Sequence, residues 1–322
     1  MLGFDPEFRD LDQYIRVITD RIWEGRRLDD IHRYYSADCA VETPSGVSIG
    51  VAEVVDGTRA TQAAFPDRRL LAEDVIVSGD EAGGYLSSHR IFSPMTHAGP
   101  GAFGPASGKP VFVRTIADCV CSHNRIVHEW LVRDQAAIAL QTGQTVQGLA
   151  QRWLDDKAGQ PRLAMPDAPA PYRSFIDTQA EAAAWADASR ALWSAPGPVA
   201  LGRSHAAQVI TALPGGQVAV GLAALRHFWA GWREALPDAA FSIEHLVANA
   251  RPGRATALAM RWRLQGRHSG GGRFGPATGR PVKVLGISHA EVEQGCIVRE
   301  WVLIDEVALW MQLLQPRSMP RV

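Results

Sequence analysis

Two segments of the sequence place an acidic residue inside an otherwise apolar, strand-like run. Residues 126–134 are IVHEWLVRD, and residues 297–305 are IVREWVLID. Because alternate residues of a strand share a face, Glu129 lies on the same face as Arg133. A carboxyl group there can carry protons, and a guanidinium beside it can stabilise an enolate or clamp an anionic substrate group. Glu129 and its counterpart Glu300 are therefore the leading candidates for acid–base chemistry, with Arg133 as a catalytic partner.

A structural role for the glutamates is the alternative. Buried acids are mostly paired, and Arg90 and Arg261 on another predicted strand could be the partners. Arg90 is also a candidate for contacting substrate or stabilising its charge, with Arg261 as its counterpart. Arg133 could instead form a salt bridge at the rim of a pocket, because the counterpart position holds the uncharged Ile304. Both interpretations stay open at this point.

Aspartates recur at the end of both segments, as Asp134 and Asp305. Each stands directly before a short helical pattern, over residues 135–141 and 306–313, and aspartate is a favoured N-cap residue. We therefore expect both aspartates to cap helices rather than to react.

Asp118 and three histidines form a second group of candidates. Asp118 is a catalytic candidate whose equivalent position holds His289, and either side chain could line a pocket or lie solvated in a hairpin. His97 and His268 precede a glycine-rich turn in both copies. A histidine at such a turn more often bonds to local groups than takes part in chemistry, so these two are candidates for ligand contact alone.

Aromatic and apolar positions could form the walls of a ligand pocket. Trp23, Tyr35 and Phe65 are the aromatic candidates, although aromatic residues on amphipathic helices usually belong to the core. Leu131 shares the strand face of the candidate glutamate and is matched in the second copy by Val302.

The elements that must position these residues occur twice, because the chain is a tandem duplication. Residues 103–111, FGPASGKPV, recur as FGPATGRPV at 274–282, which is 171 positions later, and seven of the nine residues are identical. The two segments that contain the glutamates are separated by the same offset. A constant offset over a long stretch indicates two copies of one domain.

Each copy begins with helices and continues with strands. Helical spacing marks the stretch from Leu11 to Ile22, the stretch after Gly50 and their counterparts, and an amphipathic segment lies near 145–156. Alternation and a β-rich composition predict strands at 71–77, 83–96, 110–121, 125–133, 241–247, 254–267, 281–293 and 296–304. Helices followed by an antiparallel meander indicate an α+β fold.

Composition and charge limit the class of partner. The 322 residues are 46% hydrophobic, and 33 basic residues nearly balance 34 acidic ones, which argues against nucleic acid. No apolar run reaches the roughly 20 residues that span a bilayer, and the first residues lack the layout of a secretory signal. The four cysteines show no CxxC pair and no zinc-type spacing, so we expect reduced thiols in a cytoplasmic protein without metal or cofactor.

The order of elements and the two repeated signatures resemble the SnoaL-like polyketide cyclase branch of the nuclear-transport-factor-2-like superfamily. The family's second signature usually runs Glu-His-Trp-Asp-x-x-Asp, and the aspartate after tryptophan is its usual acid or base. Leu131 and Val302 occupy that position here. The resemblance implies a curved sheet wrapped around helices as a cone, with the Glu129 face looking inward. Apolar walls around Glu129 would then raise the pKa of its carboxyl group.

We therefore expect an α+β fold of two tandem cone-shaped domains, residues 1–143 and 174–322, joined by a helical and then proline-rich linker, residues 144–173. Each domain would wrap a mainly antiparallel sheet around its N-terminal helices, and the halves would pack as an intramolecular pseudo-dimer, with further oligomerisation open. The expected function is a metal-free, cofactor-free acid–base enzyme that cyclises, isomerises or hydrolyses a small hydrophobic or oxygenated molecule. The alternative is a non-catalytic ligand-binding or scaffold protein that has lost the family's aspartates.

Strand pleating and the duplication add two expectations. Trp130 and Trp301 are strand neighbours of the two glutamates, so their rings should face the interface between the halves rather than the pockets. The first pocket should be the more polar one. The constant offset matches Tyr35 with Ala206, and Arg133 has an apolar counterpart.

Overall fold

The computed structural model of the chain describes residues 1–156, 175–194, 201 and 204–315. The helical start of the expected linker lies within them. Its proline-rich part lies outside the described residues, and includes Pro161, Pro166, Pro169 and Pro171. No helix of the described part is long and apolar enough to cross a membrane.

The first half opens with a helix that begins after Asp10, whose side chain accepts a hydrogen bond from the backbone N–H of Gln13 as an N-cap. The elements of this half are α1 (Leu11–Trp23), α2 (Asp29–Tyr34), β1 (Tyr35–Thr43), β2 (Gly46–Ile49), α3 (Val51–Ala64), β3 (Leu71–Asp80), β4 (Gly84–Thr96), β5 (Pro110–Ser122), β6 (Arg125–Arg133), α4 (Gln135–Thr142) and α5 (Val146–Asp155). The amphipathic segment predicted near 145–156 is α5.

Within the described residues the second half repeats this order except for counterparts of α2 and α5. Its described elements are α6 (Ala180–Ser194), β7 (His205–Leu213), β8 (Gln217–Val220), α7 (Gly221–Ala235), β9 (Ala240–Asn249), β10 (Thr256–Arg267), β11 (Pro281–Glu293), β12 (Cys296–Ile304) and α8 (Glu306–Leu314). In α7 the buried Leu225, Trp229 and Trp232 recur at helical spacing, so one face of this helix packs into the domain.

Each half contains one six-stranded sheet, with strand orders β2-β1-β6-β5-β4-β3 and β8-β7-β12-β11-β10-β9. Strands β3 to β6 and β9 to β12 are antiparallel meanders, as the alternating segments predicted, whereas β1 and β7 lie parallel to the last strand of their sheet. The α+β fold of two tandem domains is confirmed.

Sequence patterning did not predict α2 or the strand pairs β1–β2 and β7–β8. β1 has the sequence YSADCAVET and begins directly after α2, so it shows no clean alternation of apolar and polar residues. Its parallel pairing with β6 joins residues far apart in the chain, and no local turn signals such a pairing.

The sheet register corrects one expected match between the copies. β1 pairs with β6 so that Tyr35 lies beside Ile126, and β7 pairs with β12 so that His205 lies beside Ile297. The two isoleucines are equivalent, so the counterpart of Tyr35 is His205, and the expected match to Ala206 is wrong.

A single extra residue explains this one-residue shift. The turn between β1 and β2 contains residues 44–45, whereas the turn between β7 and β8 contains residues 214–216. The copies are therefore offset by 171 after this turn and by one residue less before it.

The two sheets contact each other through a buried apolar cluster. Its members come from both halves and are Leu86, Ile116, Val120, Trp130, Val132, Leu285, Ile287 and Leu303. The guanidinium carbon of Arg261 lies 3.5 Å from the ring centroid of Trp130, and that of Arg90 lies 3.5 Å from the ring centroid of Trp301. An arginine of the opposite half covers each tryptophan, so the expectation that both rings face the interface is confirmed.

A chain of buried hydrogen bonds crosses the same interface. Arg261 Nη1 donates to Asp118 Oδ2 over 2.7 Å, and Ser88 Oγ donates to Asp118 Oδ1 over 2.5 Å. Ser88 Oγ also lies 2.7 Å from Nε2 of His289, whose Nδ1 lies 3.2 Å from Arg90 Nη1. Burial and the Arg90 charge hold the pKa of His289 well below its usual value, so the imidazole is neutral. Asp118 and His289 thus lie between the halves, and both are buried rather than solvated and are not among the residues that line the cavity of the first half.

Candidate functional site

A cavity of about 310 Å³ lies in the first half, between helices α1 to α3 and the face of the sheet that carries Glu129. Apolar side chains from α1 and the strands form much of its wall, whereas α3 contributes Val54 and the more polar Glu53, Thr58 and Thr61. Five of the residues that the sequence singled out line it, namely Trp23, Tyr35, Glu129, Leu131 and Arg133. Strand β6 therefore presents its Glu129 face to a cavity, as the resemblance implied.

Glu129 is the buried acid of this cavity, with 7% of its surface exposed. Tyr35 donates a hydrogen bond from its hydroxyl to Glu129 Oε2 over 3.3 Å. Burial raises the pKa of Glu129 to about 7, although the Tyr35 hydrogen bond and the charge of Arg133 act in the opposite direction. The carboxyl group can therefore hold or release a proton near neutral pH.

Two arginines bring positive charge to the same cavity. Arg133 follows Glu129 along β6, and Arg68 lies in the segment between α3 and β3. Neither forms a salt bridge with any residue that the structure describes, and Arg133 Nε and Arg68 Nη1 have no hydrogen-bond partner there. Sequence analysis missed Arg68, although it directly follows the Pro66-Asp67 pair that both copies share and has the uncharged Ala239 as its counterpart.

Asp134 caps helix α4, and its carboxylate also accepts hydrogen bonds from backbone N–H groups of the second half. Its Oδ1 accepts hydrogen bonds from the backbone N–H of Ala137 at 3.0 Å and of Gly215 at 2.8 Å. Its Oδ2 accepts one from the backbone N–H of Gly216 at 2.9 Å. The N-cap prediction is confirmed, and the same carboxylate fixes the turn between β7 and β8.

Asp305 caps helix α8, as predicted, but it also lines the cavity of the first half. Its Oδ1 accepts hydrogen bonds from the backbone N–H groups of Val307 and Ala308 at 2.9 and 3.1 Å. Burial raises the pKa of Asp305 to about 7. The cavity thus has a second carboxyl group, supplied by the second half, with the charge of Arg133 acting on both acids.

Phe65 and the two turn histidines lie outside the residues that line this cavity. The rings of Phe65 and His97 pack at a centroid distance of 5.3 Å in a separate cluster. His97 Nδ1 lies 3.1 Å from Ser107 Oγ, and His268 Nδ1 lies 3.1 Å from Thr278 Oγ1. Both histidines therefore bond locally within their glycine-rich turns.

Arg90 and Arg261 are not the ion-pair partners of Glu129 and Glu300 that the structural alternative expected. Glu300 Oε2 lies 3.4 Å from Nε2 of His205, the residue that replaces Tyr35, and not beside Arg261. Arg90 forms its salt bridge with Glu73, at 3.2 Å, and not with Glu129. Strand pleating explains the difference, because the arginines point toward the sheet interface while the glutamates point away from it.

Large aromatic side chains fill the interior of the second half. Positions that line the first cavity as Thr58, Thr61 and Ile91 are occupied in the second copy by Trp229, Trp232 and Trp262. All three tryptophans are buried in the core of that half, which also contains Val302 and Ile304. The interior of the second half is therefore occupied by indole rings where the first half has open space.

Gly286 makes room for one of these rings. A Cβ atom at this position would lie 2.1 Å from Trp262 Cζ2, whereas the first half pairs the smaller Ile91 with Thr115 at the equivalent positions. Gly286→Ala is expected to lower the free energy of unfolding by about 1–3 kcal/mol through overpacking, as measured by urea denaturation. Gly83→Ala is the control, since its Cβ would meet no atom closer than 3.6 Å. Equal effects of the two changes would contradict a tightly filled interior.

Burial of Glu129 should make stability depend on pH. The folded chain holds this proton more tightly than the unfolded chain, because its pKa rises from 4.5 to about 7 on folding. The resulting contribution to stability is complete below the unfolded pKa and is lost as pH rises through about 7. The glutamine of Glu129→Gln does not titrate, so the variant does not lose this contribution as the pH rises. The melting temperature of the variant, relative to that of the wild type at the same pH, is therefore expected to increase from about pH 5 to about pH 8. Asp305 titrates in both proteins and cancels, and a constant difference would contradict the raised pKa.

Comparison with known proteins finds the same family in both halves of the chain. The family model for SnoaL-like polyketide cyclases matches residues 14–142 and again residues 183–313. The chain belongs to the SnoaL-like polyketide cyclase family. No curated protein matches the sequence.

Several solved structures resemble one half of this SnoaL-like protein. IdmH from Streptomyces antibioticus is 21% identical, covers 40% of this chain and 96% of its own, and has a TM-score of 0.35. A SnoaL-like polyketide cyclase from Agrobacterium tumefaciens is 21% identical, covers 42% of this chain and all of its own, and has a TM-score of 0.35. TsrD from Streptomyces laurentii is 19% identical, covers 41% and 92%, and has a TM-score of 0.36.

The acid that strand β6 contributes to the cavity is at a different position from the aspartate of the family signature. Leu131 occupies the position after tryptophan that carries the family's usual aspartate, and it lines the cavity. Glu129 lies two residues earlier on the same strand face and lines the cavity too. In this SnoaL-like protein the carboxyl group on β6 is therefore displaced by two residues but still faces inward.

Proposed function

We propose that the first half is an acid–base enzyme for a small, hydrophobic and oxygenated molecule. One observation supports this most directly: Glu129 is buried in the wall of a cavity that Arg133 also lines, with its pKa raised to about 7. A general acid or base acts best when its pKa is close to the pH at which it works. Family membership supports a small molecule as the substrate.

In the proposed mechanism Glu129 carries the proton and Arg133 stabilises charge. The carboxylate of Glu129 removes a proton from a carbon next to a carbonyl group, and the electron pair moves onto the carbonyl oxygen to form an enolate. The guanidinium of Arg133 stabilises that oxyanion in a site of low dielectric constant. Attack of the enolate carbon on a second carbonyl group cyclises the substrate, and the alkoxide that forms takes up the proton held by Glu129. Where a carbon–carbon double bond is conjugated with the enolate, return of the proton from Glu129 to the far carbon of the dienolate isomerises the substrate instead.

Tyr35 has a positioning role in this proposal. Its hydroxyl donates to Oε2 of Glu129, which fixes the orientation of the carboxyl group against the cavity. Asp305 lies in the same cavity and can carry a second proton, because its pKa is also raised to about 7. The proposed site therefore combines two acids and a cation, with one of the acids supplied by the second half.

We propose further that the second half is a structural partner in an intramolecular pseudo-dimer and not a second active site. Three tryptophans occupy its interior, and Val302 and Ile304 replace the residues that follow Glu129 on the cavity face. The cation–π contacts and the buried hydrogen bonds between the sheets support this pairing. A cytoplasmic location stays a prediction from the sequence.

Proton exchange tests the proposed function without knowledge of the natural substrate. A bicyclic ketone such as 2-tetralone has exchangeable protons next to its carbonyl, and their replacement by deuterium in D2O can be followed by NMR. The wild-type protein is expected to accelerate this exchange, and Glu129→Gln is expected to remove most of the acceleration. Binding of the ketone without any acceleration would favour the alternative, a non-catalytic ligand-binding protein, which the apolar Leu131 and Val302 at the family's acid positions also fit.

A further inference from the structure

We propose that Arg68, together with Arg133, forms a binding site for a carboxylate group, so that the ligand of the cavity is a hydrophobic carboxylic acid in its anionic form. The inference rests on the proposed function only in that both place the ligand in the same cavity. It names the class of ligand, which acid–base chemistry alone leaves open.

Arg68 is held rigidly in the cavity wall. Only 7% of its surface is exposed, and its guanidinium carbon lies 4.7 Å from the ring centroid of Trp23, which also lines the cavity. Its Nε donates a hydrogen bond to Ser93 Oγ over 3.3 Å. A stacked, hydrogen-bonded guanidinium loses little further freedom when it binds an anion, and its planar fork matches the two oxygens of a carboxylate.

The charge of Arg68 lacks a partner in the described protein. It forms no salt bridge with a described residue, and the charged groups that act on it are Arg133, which repels it, and Glu24, which attracts it. Burial and Arg133 hold the pKa of Arg68 well below its usual value. Because arginine stays protonated in proteins, Arg68 places in the cavity wall a buried positive charge that forms no ion pair with a described residue and that the second cation repels. An anionic ligand would balance that charge, whereas a neutral ligand would leave it buried and unpaired.

The second copy shows that the fold does not need these two cations. The equivalents of Arg68 and Arg133 are Ala239 and Ile304, and both are buried in a well-packed core. The two sheets have the same strand order, so the second copy forms this sheet with an apolar residue at each of the two positions. Both arginines occur only in the half with the open cavity, which is the pattern expected of ligand-binding residues.

A pair of probes that differ only in charge tests the carboxylate site. Titration calorimetry on the full chain compares 2-naphthoate with 2-naphthamide, which has the same ring system and no charge. The wild type is expected to bind 2-naphthoate at least about tenfold more tightly, as a charge-assisted contact predicts. Arg68→Met keeps the length and apolar body of the side chain but removes the charge, and is expected to abolish this preference while 2-naphthamide still binds.

Two controls separate a lost binding site from a damaged fold. Arg59→Gln, at an arginine whose side chain is 63% exposed, should leave both affinities unchanged. Arg68→Met should melt no lower than the wild type without ligand, because it removes an unpaired buried charge. Should Arg68→Met fail to fold, Arg68→Lys serves instead, and it is expected to retain part of the preference since it keeps the charge but not the planar fork.

Several results would overturn the carboxylate site. They are equal affinities of the wild type for the two probes, no detectable binding of 2-naphthoate, and a preference that survives the loss of the Arg68 charge. The proposed function fails by a different observation, namely full proton exchange by Glu129→Gln. Because Glu129→Gln leaves both arginines in place, it should bind 2-naphthoate at least as tightly as the wild type, so the two proposals can fail separately.

Discussion

Glu129→Gln is expected to slow enzyme-dependent proton exchange in 2-tetralone by about two to four orders of magnitude. Glutamine has nearly the same size and can still accept the Tyr35 hydrogen bond, so the cavity keeps its shape, but the side chain cannot take up a proton. The affinity for the ketone should change far less than the rate, because the apolar walls are untouched. NMR gives the exchange rate, and calorimetry gives the affinity of the same samples.

The duplication provides a matched control. Glu300→Gln makes the same change at the equivalent position, where the neighbour is His205 and the interior is filled, and should leave the exchange rate within about twofold of wild type. In the wild type the rate should rise as the pH increases through about 7, because Glu129 acts as a base only once it is ionised. Full exchange activity in Glu129→Gln would show that Glu129 is not the proton carrier and would point instead to Asp305, the other acid of the cavity whose pKa is raised to about 7.

Arg261→Met is expected to lower the free energy of unfolding by about 3–5 kcal/mol. Asp118 is 1% exposed, and burial raises its pKa even with the Arg261 guanidinium bound to it at 2.7 Å. Removing the arginine leaves that carboxyl group without its cation inside the interface and uncovers the Trp130 ring. Urea denaturation monitored by circular dichroism measures the loss.

Arg90→Met is the matched control for this prediction, because Arg90 occupies the equivalent position and covers Trp301 in the same way. Its buried partner across the interface is the neutral His289 rather than a carboxylate, and its anionic partner Glu73 is partly solvated. The loss should therefore be clearly smaller. Adding Asp118→Asn to Arg261→Met should recover part of the stability, since it removes the carboxylate that has lost its cation. Equal losses for the two arginines would contradict the importance of the Asp118 ion pair.

Local patterns in the sequence predicted most of the fold. Alternation, helical spacing and the repeated glycine-rich turn gave the meanders and the main helices, because each of these signals depends on neighbouring residues. β1 and β7 were missed because their pairing partner is far along the chain and their own residues do not alternate. The match of Tyr35 to a second-copy residue failed for a related reason, since one inserted residue in a turn is invisible to a constant offset.

Sequence analysis predicted only the part of the candidate site that lies on one strand, because alternation along a strand is a local signal. Alternation placed Glu129, Leu131 and Arg133 on one face, and the structure has all three in the cavity. Arg68 lies in a connecting segment without periodicity, and Asp305 comes from the other half, so only the three-dimensional packing shows that they join the same cavity. Helical spacing puts Trp229 and Trp232 on one buried face of α7, but the sequence does not show that they fill the interior of the second half.

The Asp118–Ser88–His289 contact has an evolutionary consequence. In a homodimer a single codon change alters both subunits at once, so the position of Asp118 would face another aspartate across the twofold axis and the two negative charges would repel. Once two copies are fused in one gene, separate codons encode the equivalent positions of the two copies, so each position can change independently. Aspartate and histidine can then stand opposite each other, and Ser88 can bridge them although its own counterpart is Ala259. Fusion thus permits the two copies to diverge, and here the first half contains a cavity where the second half has a tryptophan-filled core.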